Sequence, residues 1–149
     1  MNTKAAIIFF CGLLFAWGAM PAHAQDADDA TPATVLPTTF DGMVAALPEA
    51  SYDDKELLLQ KIALSYNPQA SKILHALLDA RLFSDTAGKV YISQSSDESK
   101  AATSLSDAVT GAEVKGVDAD SISAIGTNNR LRKALRALNA QLDLASADS

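Results

Sequence analysis

Residues 73–93, ILHALLDARLFSDTAGKVYIS, decide the fold because a helical pattern changes there into a strand pattern. Apolar residues recur at the spacing of one helix face at Ile73, Leu74, Leu77, Leu78 and Leu82. Residues 85–88 then supply turn chemistry, and residues 90–92 are β-branched or aromatic, as is typical of a strand. The segment predicts a helix over residues 68–82 and a small β-hairpin after it.

Two more helices are predicted on the amino-terminal side of this segment. The first covers residues 40–47, whose apolar positions follow the i, i+3, i+4, i+7 spacing, and Pro48 ends it. A capping box that begins at Ser51 starts the second, over residues 52–66, and the Asn67-Pro68 turn joins it to the third. Such a pair resembles one unit of a HEAT-like repeat, although a generic helix bundle has the same periodicity. We therefore expect a mainly α fold with HEAT-like helical hairpins over residues 40–82 and a small β-hairpin insertion.

Residues 83–127 are predicted to form the β-hairpin and a loop insertion. Residues 94–104, QSSDESKAATS, are polar and predict a mobile loop, and residues 105–117 predict turns around a short extended piece. Asp118 and Asp120 predict a cap for a short helix through Ile122 and Ile125, which Gly126 ends.

The last predicted element, within residues 128–149, is a helix of about four turns. Asn128 or Asn129 can cap it, and its apolar stripe consists of Leu131, Leu135, Leu138 and Leu142. An apolar stripe of this kind needs a cover. It folds back on the leucines of the third helix, or two chains associate through it, or further residues of a longer chain cover it.

The first 24 residues have the pattern of a cleavable signal peptide. Lys4 supplies the positive charge, residues 5–17 are apolar, and Ala22 and Ala24 precede the predicted cleavage site. A retained membrane anchor is the alternative, but the run is shorter than the ~20 residues that span a bilayer. Residues 25–39, QDADDATPATVLPTT, predict a flexible leader. Since Cys11 is the only cysteine, we expect no disulfide in the mature chain. Polar residues or proline interrupt every later apolar run, so we expect an exported product without a membrane span.

The sequence argues against an enzyme. After the predicted signal, His75 is the only histidine. On a helix it would lie beside Asp79 at i+4, which is typical of a surface histidine next to a carboxylate. The sequence contains no nucleophile motif, phosphate-binding loop, zinc spacing or calcium loop. We predict no catalytic residue, no metal and no cofactor. Nucleic acid is a poor partner for an exported chain with 18 Asp+Glu against 12 Lys+Arg.

Four cations are concentrated near the start of the last helix. A solvated face is the common explanation for such a run, and pairing with acidic residues of the fold, anionic lipid or a partner protein are the alternatives. We expect a partner-binding surface where these cations and an exposed hairpin aromatic occur together. Its predicted residues are Arg130, Arg132, Lys133, Arg136, Lys89 and Tyr91.

Seven short motifs occur in order along the chain. They are FDGMVAAL at 40–47, DKE at 54–56, NP at 67–68, LLDARLF at 77–83, GKVYI at 88–92, DAVTG at 107–111 and NNRLRKAL at 128–135. In this order and spacing they resemble the amino-terminal exported region of urea-type ABC transporter permeases, within the branched-chain-amino-acid-type permease group. The resemblance covers essentially the whole mature chain.

The resemblance implies an exported, periplasmic accessory module of a urea importer, which is membrane-associated if it is joined to a permease. Family members continue with more helical repeat and a membrane domain, whereas this sequence stops at Ser149, so we expect a truncated portion. The implied partners are a membrane permease domain or a periplasmic urea-binding protein. A stand-alone exported helical binding or scaffold protein and a non-functional fragment are the alternatives.

Overall fold

The computed structural model describes residues 35–147, so the predicted signal peptide and most of the predicted leader lie outside the described residues. The helices are α1 (Phe40–Ala46), α2 (Tyr52–Ala63), α3 (Ala70–Leu78), α4 (Glu98–Ala101) and α5 (Asn129–Ala147). The strands are β1 (Leu82–Asp85), β2 (Val90–Ser93), β3 (Leu105–Asp107), β4 (Glu113–Val114) and β5 (Ile122–Ala124), and a 3₁₀ turn (Ala119–Ser121) precedes β5. None of the helices in the described range has the length and hydrophobicity needed to cross a bilayer.

The five strands form one antiparallel sheet in the order β4-β3-β2-β1-β5. The predicted hairpin is confirmed as its centre, where Phe83 of β1 lies opposite Tyr91 of β2. On the other side of β1, Phe83 lies opposite Ala124 of β5. Later segments of the chain therefore flank the hairpin on both sides, with β5 beside β1 and β3 beside β2.

Both faces of this sheet are buried, and each face belongs to a different apolar cluster. Leu82 and Val90 pack against α1, α2, α3 and α5, whereas Phe83 and Tyr91 pack with Ala101 of α4 on the opposite face. Successive strand residues point to opposite faces, so two adjacent fully buried residues require a cover on each side. The larger cover is helical, and the smaller one is provided by α4, with Val117 packed against the same cluster.

The expectation of a mainly α fold with HEAT-like hairpins is wrong. The described residues form helices packed on a five-stranded antiparallel sheet. The pair α2 and α3 is not covered by a following repeat but by α5, whose Leu131 and Leu135 are 1% and 0% exposed. Leu138 and Leu142 are partly buried against the same cluster. Of the three covers considered for the stripe, the structure has the one that folds back on the chain.

The second and third helices end earlier than their apolar patterns predict. Residues 64–66 are not part of α2, and Tyr66 has a φ of +54° and is 94% exposed. α3 ends in a Schellman motif, in which Ala80 takes a φ of +56° and the Arg81 backbone N–H donates to the Ala76 carbonyl at 2.7 Å. This turn sends Leu82 into the sheet. The sequence does not predict this motif, because Ala80 stands where a Schellman motif usually has glycine.

Two predictions for residues 94–127 are also wrong. The expected mobile loop contains α4, whose carbonyl at Ala101 accepts a hydrogen bond from the buried Ser93 hydroxyl at 3.0 Å. The expected helix through Ile122 and Ile125 is a strand after a short 3₁₀ turn. Ile122 packs in the α4 cluster and Ile125 in the helical cluster. An i, i+3 apolar pair fits one helix face, but it equally fits an extended segment between two cores.

The end of the predicted flexible leader is structured. Leu36 packs against the helical cluster, and the Thr39 hydroxyl accepts a hydrogen bond from the Gly42 backbone N–H at 3.2 Å as the cap of α1. Residues 25–34, which hold the acidic part of that segment, lie outside the described residues.

Replacing Leu135 by alanine tests whether α5 covers the helical core. Because Leu135 is fully buried, Leu135→Ala is expected to lower the free energy of unfolding by about 2–5 kcal/mol. Leu144, on the same helix, is 71% exposed, so Leu144→Ala should change it by less than about 0.5 kcal/mol. Guanidinium titrations measure both values, and equal midpoints for the two variants would contradict this packing.

Asn139 is the second test of the α5 interface. It is 4% exposed, and neither its amide nitrogen nor its amide oxygen has a hydrogen-bond partner among residues 35–147. Asn139→Leu keeps the side-chain branching and removes this desolvation penalty, so it should raise the free energy of unfolding by about 1–2 kcal/mol. Gln141→Leu, at an exposed position of α5, controls for helix propensity. A loss of stability in Asn139→Leu would mean that the amide is satisfied.

Candidate functional site

The amino-terminal end of α5 is fixed to the rest of the fold by polar contacts. The Asn128 side chain accepts a hydrogen bond from the Leu131 backbone N–H at 2.8 Å and so caps the helix. Arg130 lies 2.9 Å from Asp53 and 3.1 Å from Glu56, which are both on α2. Arg130 was predicted to belong to a partner-binding surface, but the structure places it in an intramolecular ion pair. It joins the last helix to the second.

Three of the predicted cations remain exposed on α5. Arg132, Lys133 and Arg136 form no ion pair with any side chain in the described part of the chain. They lie within about one quadrant of the helix circumference, beside the buried stripe. We call these three residues the α5 cationic face. A capped helix therefore presents to solvent three positive charges that have no ion-pair partner among residues 35–147.

The two hairpin residues of the predicted surface are separated from this face by their contacts. Tyr91 is only 4% exposed, so the expectation of an exposed aromatic is wrong. Its hydroxyl donates to Asp85 at 2.8 Å, and its ring faces the Lys89 ammonium at 5.6 Å. Lys89 also pairs with Asp107 at 3.3 Å. The structure assigns Lys89 and Tyr91 to a network within the sheet and not to one surface with the α5 cationic face.

Two aspartates organise the turns on either side of that network. Asp85 accepts hydrogen bonds from the backbone N–H groups of Ala87 and Lys89, both at 2.9 Å. Asp107 accepts from Val109 and Thr110, also both at 2.9 Å. These are side-chain-capped turns, which fix the β1-β2 and β3-β4 connections.

The hydrogen bonds set the ionisation of these groups. Burial alone would raise the pKa of Asp85, but the donors at Lys89, Tyr91 and Ala87 outweigh it and lower that pKa. The pKa of Asp107 is lowered in the same way, since the Thr110 and Val109 donors and Lys89 outweigh its burial. Burial and the bond to Asp85 raise the pKa of Tyr91 to about 12. The network thus holds two carboxylates and one neutral phenol at neutral pH, which suits a structural role.

A cavity of about 470 Å³ lies between the start of α3 and the sheet, and sequence reasoning missed it. Its walls include Gln69, Lys72, His75, Arg81 and Ser106. These residues come from three separate segments, and none of them stands in a recognisable motif for binding. We call it the α3 cavity. Across residues 35–147, no group of three His, Cys, Asp or Glu side chains is placed to share a metal ion.

Comparison of the chain with protein-family models, with curated proteins and with solved structures finds no match.

Asp85→Asn tests the network and its pH dependence. The variant weakens three hydrogen bonds, so at neutral pH we expect a loss of about 1 kcal/mol or more in the free energy of unfolding. The folded-state pKa of Asp85 lies below its unfolded value, so the carboxylate contributes stability above the unfolded pKa and loses it as pH falls through the folded pKa.

The difference in unfolding free energy between wild type and Asp85→Asn should therefore narrow as the pH falls below about 5. Thermal unfolding followed by circular dichroism across that range measures it. Asp120→Asn, at an exposed position, is the matched control and should show no such gap. A gap that stays constant with pH would show that the charge of Asp85 does not contribute.

Proposed function

We propose that this chain is a periplasmic accessory module of a urea ABC importer permease and that it contacts other components of that transporter. The assignment to this class of protein is supported by the ordered motifs, which resemble the exported region of urea-type permeases. The α5 cationic face supports the mode of action, which is recognition of an acidic protein surface. No catalytic step is part of this proposal.

The fold brings the motifs that carry the resemblance into direct contact. GKVYI and DAVTG are joined by the pairing of β2 with β3 and by the ion pair of Lys89 with Asp107. NNRLRKAL is joined to DKE by the ion pair of Arg130 with Glu56. Motifs that are distant in the sequence thus stabilise one another, which supports treating them as parts of a single unit.

The observation that carries the proposal is the exposed α5 cationic face on a chain with a net charge of −6. Arg130, on the same helix, forms ion pairs with two carboxylates. Arg132, Lys133 and Arg136 form no ion pair with the described residues. Long-range repulsion would keep this acidic chain away from an acidic partner unless a local positive face compensates for it. Such a face orients the encounter and makes the association sensitive to salt.

Charge reversal at two positions tests this surface. Affinity-tagged chain is expressed in its native host, and the recovered permease and urea-binding protein are quantified. Arg132→Glu combined with Lys133→Glu should lower their recovery by about tenfold, because two attractions become repulsions. Recovery with the wild type should fall as the salt concentration rises from about 0.05 M to about 0.5 M.

The matched control is Lys61→Glu combined with Lys115→Glu, which makes the same change in net charge at exposed positions outside α5. It should leave recovery unchanged. Equal recovery with both double variants would refute the α5 cationic face as the contact. A wild-type chain that recovers no transporter component would refute the importer assignment itself and favour a stand-alone scaffold.

A further inference from the structure

The outward side of α2 carries two leucines that the fold does not bury. Leu57 is 48% exposed, and Leu64, at the carboxyl-terminal cap of the helix, is 72% exposed. They are seven residues apart, which is close to two helical turns, so they lie on the same side of α2. Two charged residues, Asp54 and Lys61, accompany them on this side. We call Asp54, Leu57, Lys61 and Leu64 the α2 outer face.

The two charges of this face flank Leu57 almost symmetrically. Asp54 lies three residues before Leu57, and Lys61 lies four residues after it. Since Asp54 and Lys61 are themselves seven residues apart, both lie on one flank of the helix. The Asp54 carboxylate accepts a hydrogen bond from the Ser51 hydroxyl at 2.8 Å. Neither Asp54 nor Lys61 forms an ion pair with any residue between 35 and 147.

This order of charges is complementary to its own reverse. When two α2 helices pack antiparallel about a twofold axis beside Leu57, each Asp54 lies opposite Lys61 of the second copy. The same operation brings the two Leu57 side chains together at the axis. A second copy therefore supplies the matching charges and the apolar contact without any further requirement.

From this charge complementarity we propose that the α2 outer face is a self-association surface, at which two copies of this chain pack their α2 helices antiparallel. Two reciprocal ion pairs set the register, and contact between the leucines buries apolar surface. At about 0.15 M salt the repulsion between the two acidic chains is largely screened, because the Debye length is only about 8 Å. Charges in direct contact are screened much less.

The dimer is weak because its interface is small. α2 has 12 residues and is therefore about 18 Å long, which gives an interface below the ~1,200 Å² of stable complexes. Association is thus governed by the concentration of the chain. The α5 cationic face takes no part in this contact, so the inference does not rest on the proposed transporter function.

Sedimentation equilibrium tests the association on the chain purified from its native host. Between about 1 µM and about 1 mM, the wild type should pass from monomer to dimer with a Kd on the order of 100 µM. Leu57→Asp should weaken the dimer by at least about tenfold, because it places two like charges at the axis. The matched control is Leu144→Asp, since Leu144 is 71% exposed on α5, and it should leave the Kd unchanged.

A charge swap tests the register. Lys61→Asp and Asp54→Lys should each weaken the dimer about tenfold, because each places like charges opposite one another. The two substitutions combined rebuild both ion pairs in the reverse order and should return the Kd to within about threefold of the wild type. Asp54→Lys also removes the acceptor of the Ser51 hydroxyl, which the swap does not restore. Recovery of the dimer therefore cannot come from recovered folding.

Cysteine cross-linking locates the axis. Leu57→Cys should form a disulfide-linked dimer on oxidation with copper phenanthroline, because residue 57 faces its own copy at the axis. Leu64→Cys should not, since its position along the helix places it about 20 Å from its own copy. The wild type controls for Cys11.

Three results would overturn the inference. A chain that stays monomeric throughout the concentration range has no such surface, and a dimer that persists in Leu57→Asp uses another one. Failure of the charge swap to restore the dimer, or cross-linking of Leu64→Cys as well as Leu57→Cys, would contradict the antiparallel register. Lys61→Glu belongs to the control that should leave recovery of the transporter unchanged, so loss of the dimer and loss of transporter binding are separate outcomes.

Discussion

The rest of the structure depends on the burial of two consecutive residues, Leu82 and Phe83, on opposite faces of one strand. Both are 0% exposed. A strand alternates its side chains, so the chain must build a cover on each side of the sheet. Residues 94–124 therefore cannot be a loop appended to a helical protein. They provide β3, β4 and β5 beside the hairpin and α4 beneath it, and α5 then returns to close the helical side.

Elements with a strong local signal could be predicted from the sequence, and elements held by distant partners could not. The helices α1, α2, α3 and α5 are predicted because each has a periodic apolar pattern with a cap or breaker. The hairpin is predicted because turn residues precede a β-branched and aromatic run. β4 has two residues and β5 has three, which is too short for a period to be seen. The positive φ of Ala80 is set by the tertiary fold, so the sharp exit from α3 has no signal in the residue type.

The same distinction applies to the predicted site. Sequence reasoning located the cationic cluster but could not tell which of its members are neutralised. Asp53 and Glu56, which pair with Arg130, lie on a helix far away in the sequence. Tyr91 is expected at the surface as an aromatic of the hairpin beside Lys89, whereas packing with Ala101 of α4 buries it. The α3 cavity could not be predicted from the sequence, because its lining residues come together only when α3 packs on the sheet.

Four of the eight residues of the motif NNRLRKAL have an identified role in this fold. Asn128 caps α5, Arg130 pairs with α2, and Leu131 and Leu135 are buried. Any protein with this architecture needs such residues, so they carry information about the fold and little about activity. Arg132 and Lys133 differ, because no described contact within the chain uses their charge. Capping, ion pairing and burial therefore account for Asn128, Arg130, Leu131 and Leu135, whereas the charges of Arg132 and Lys133 are available for a partner.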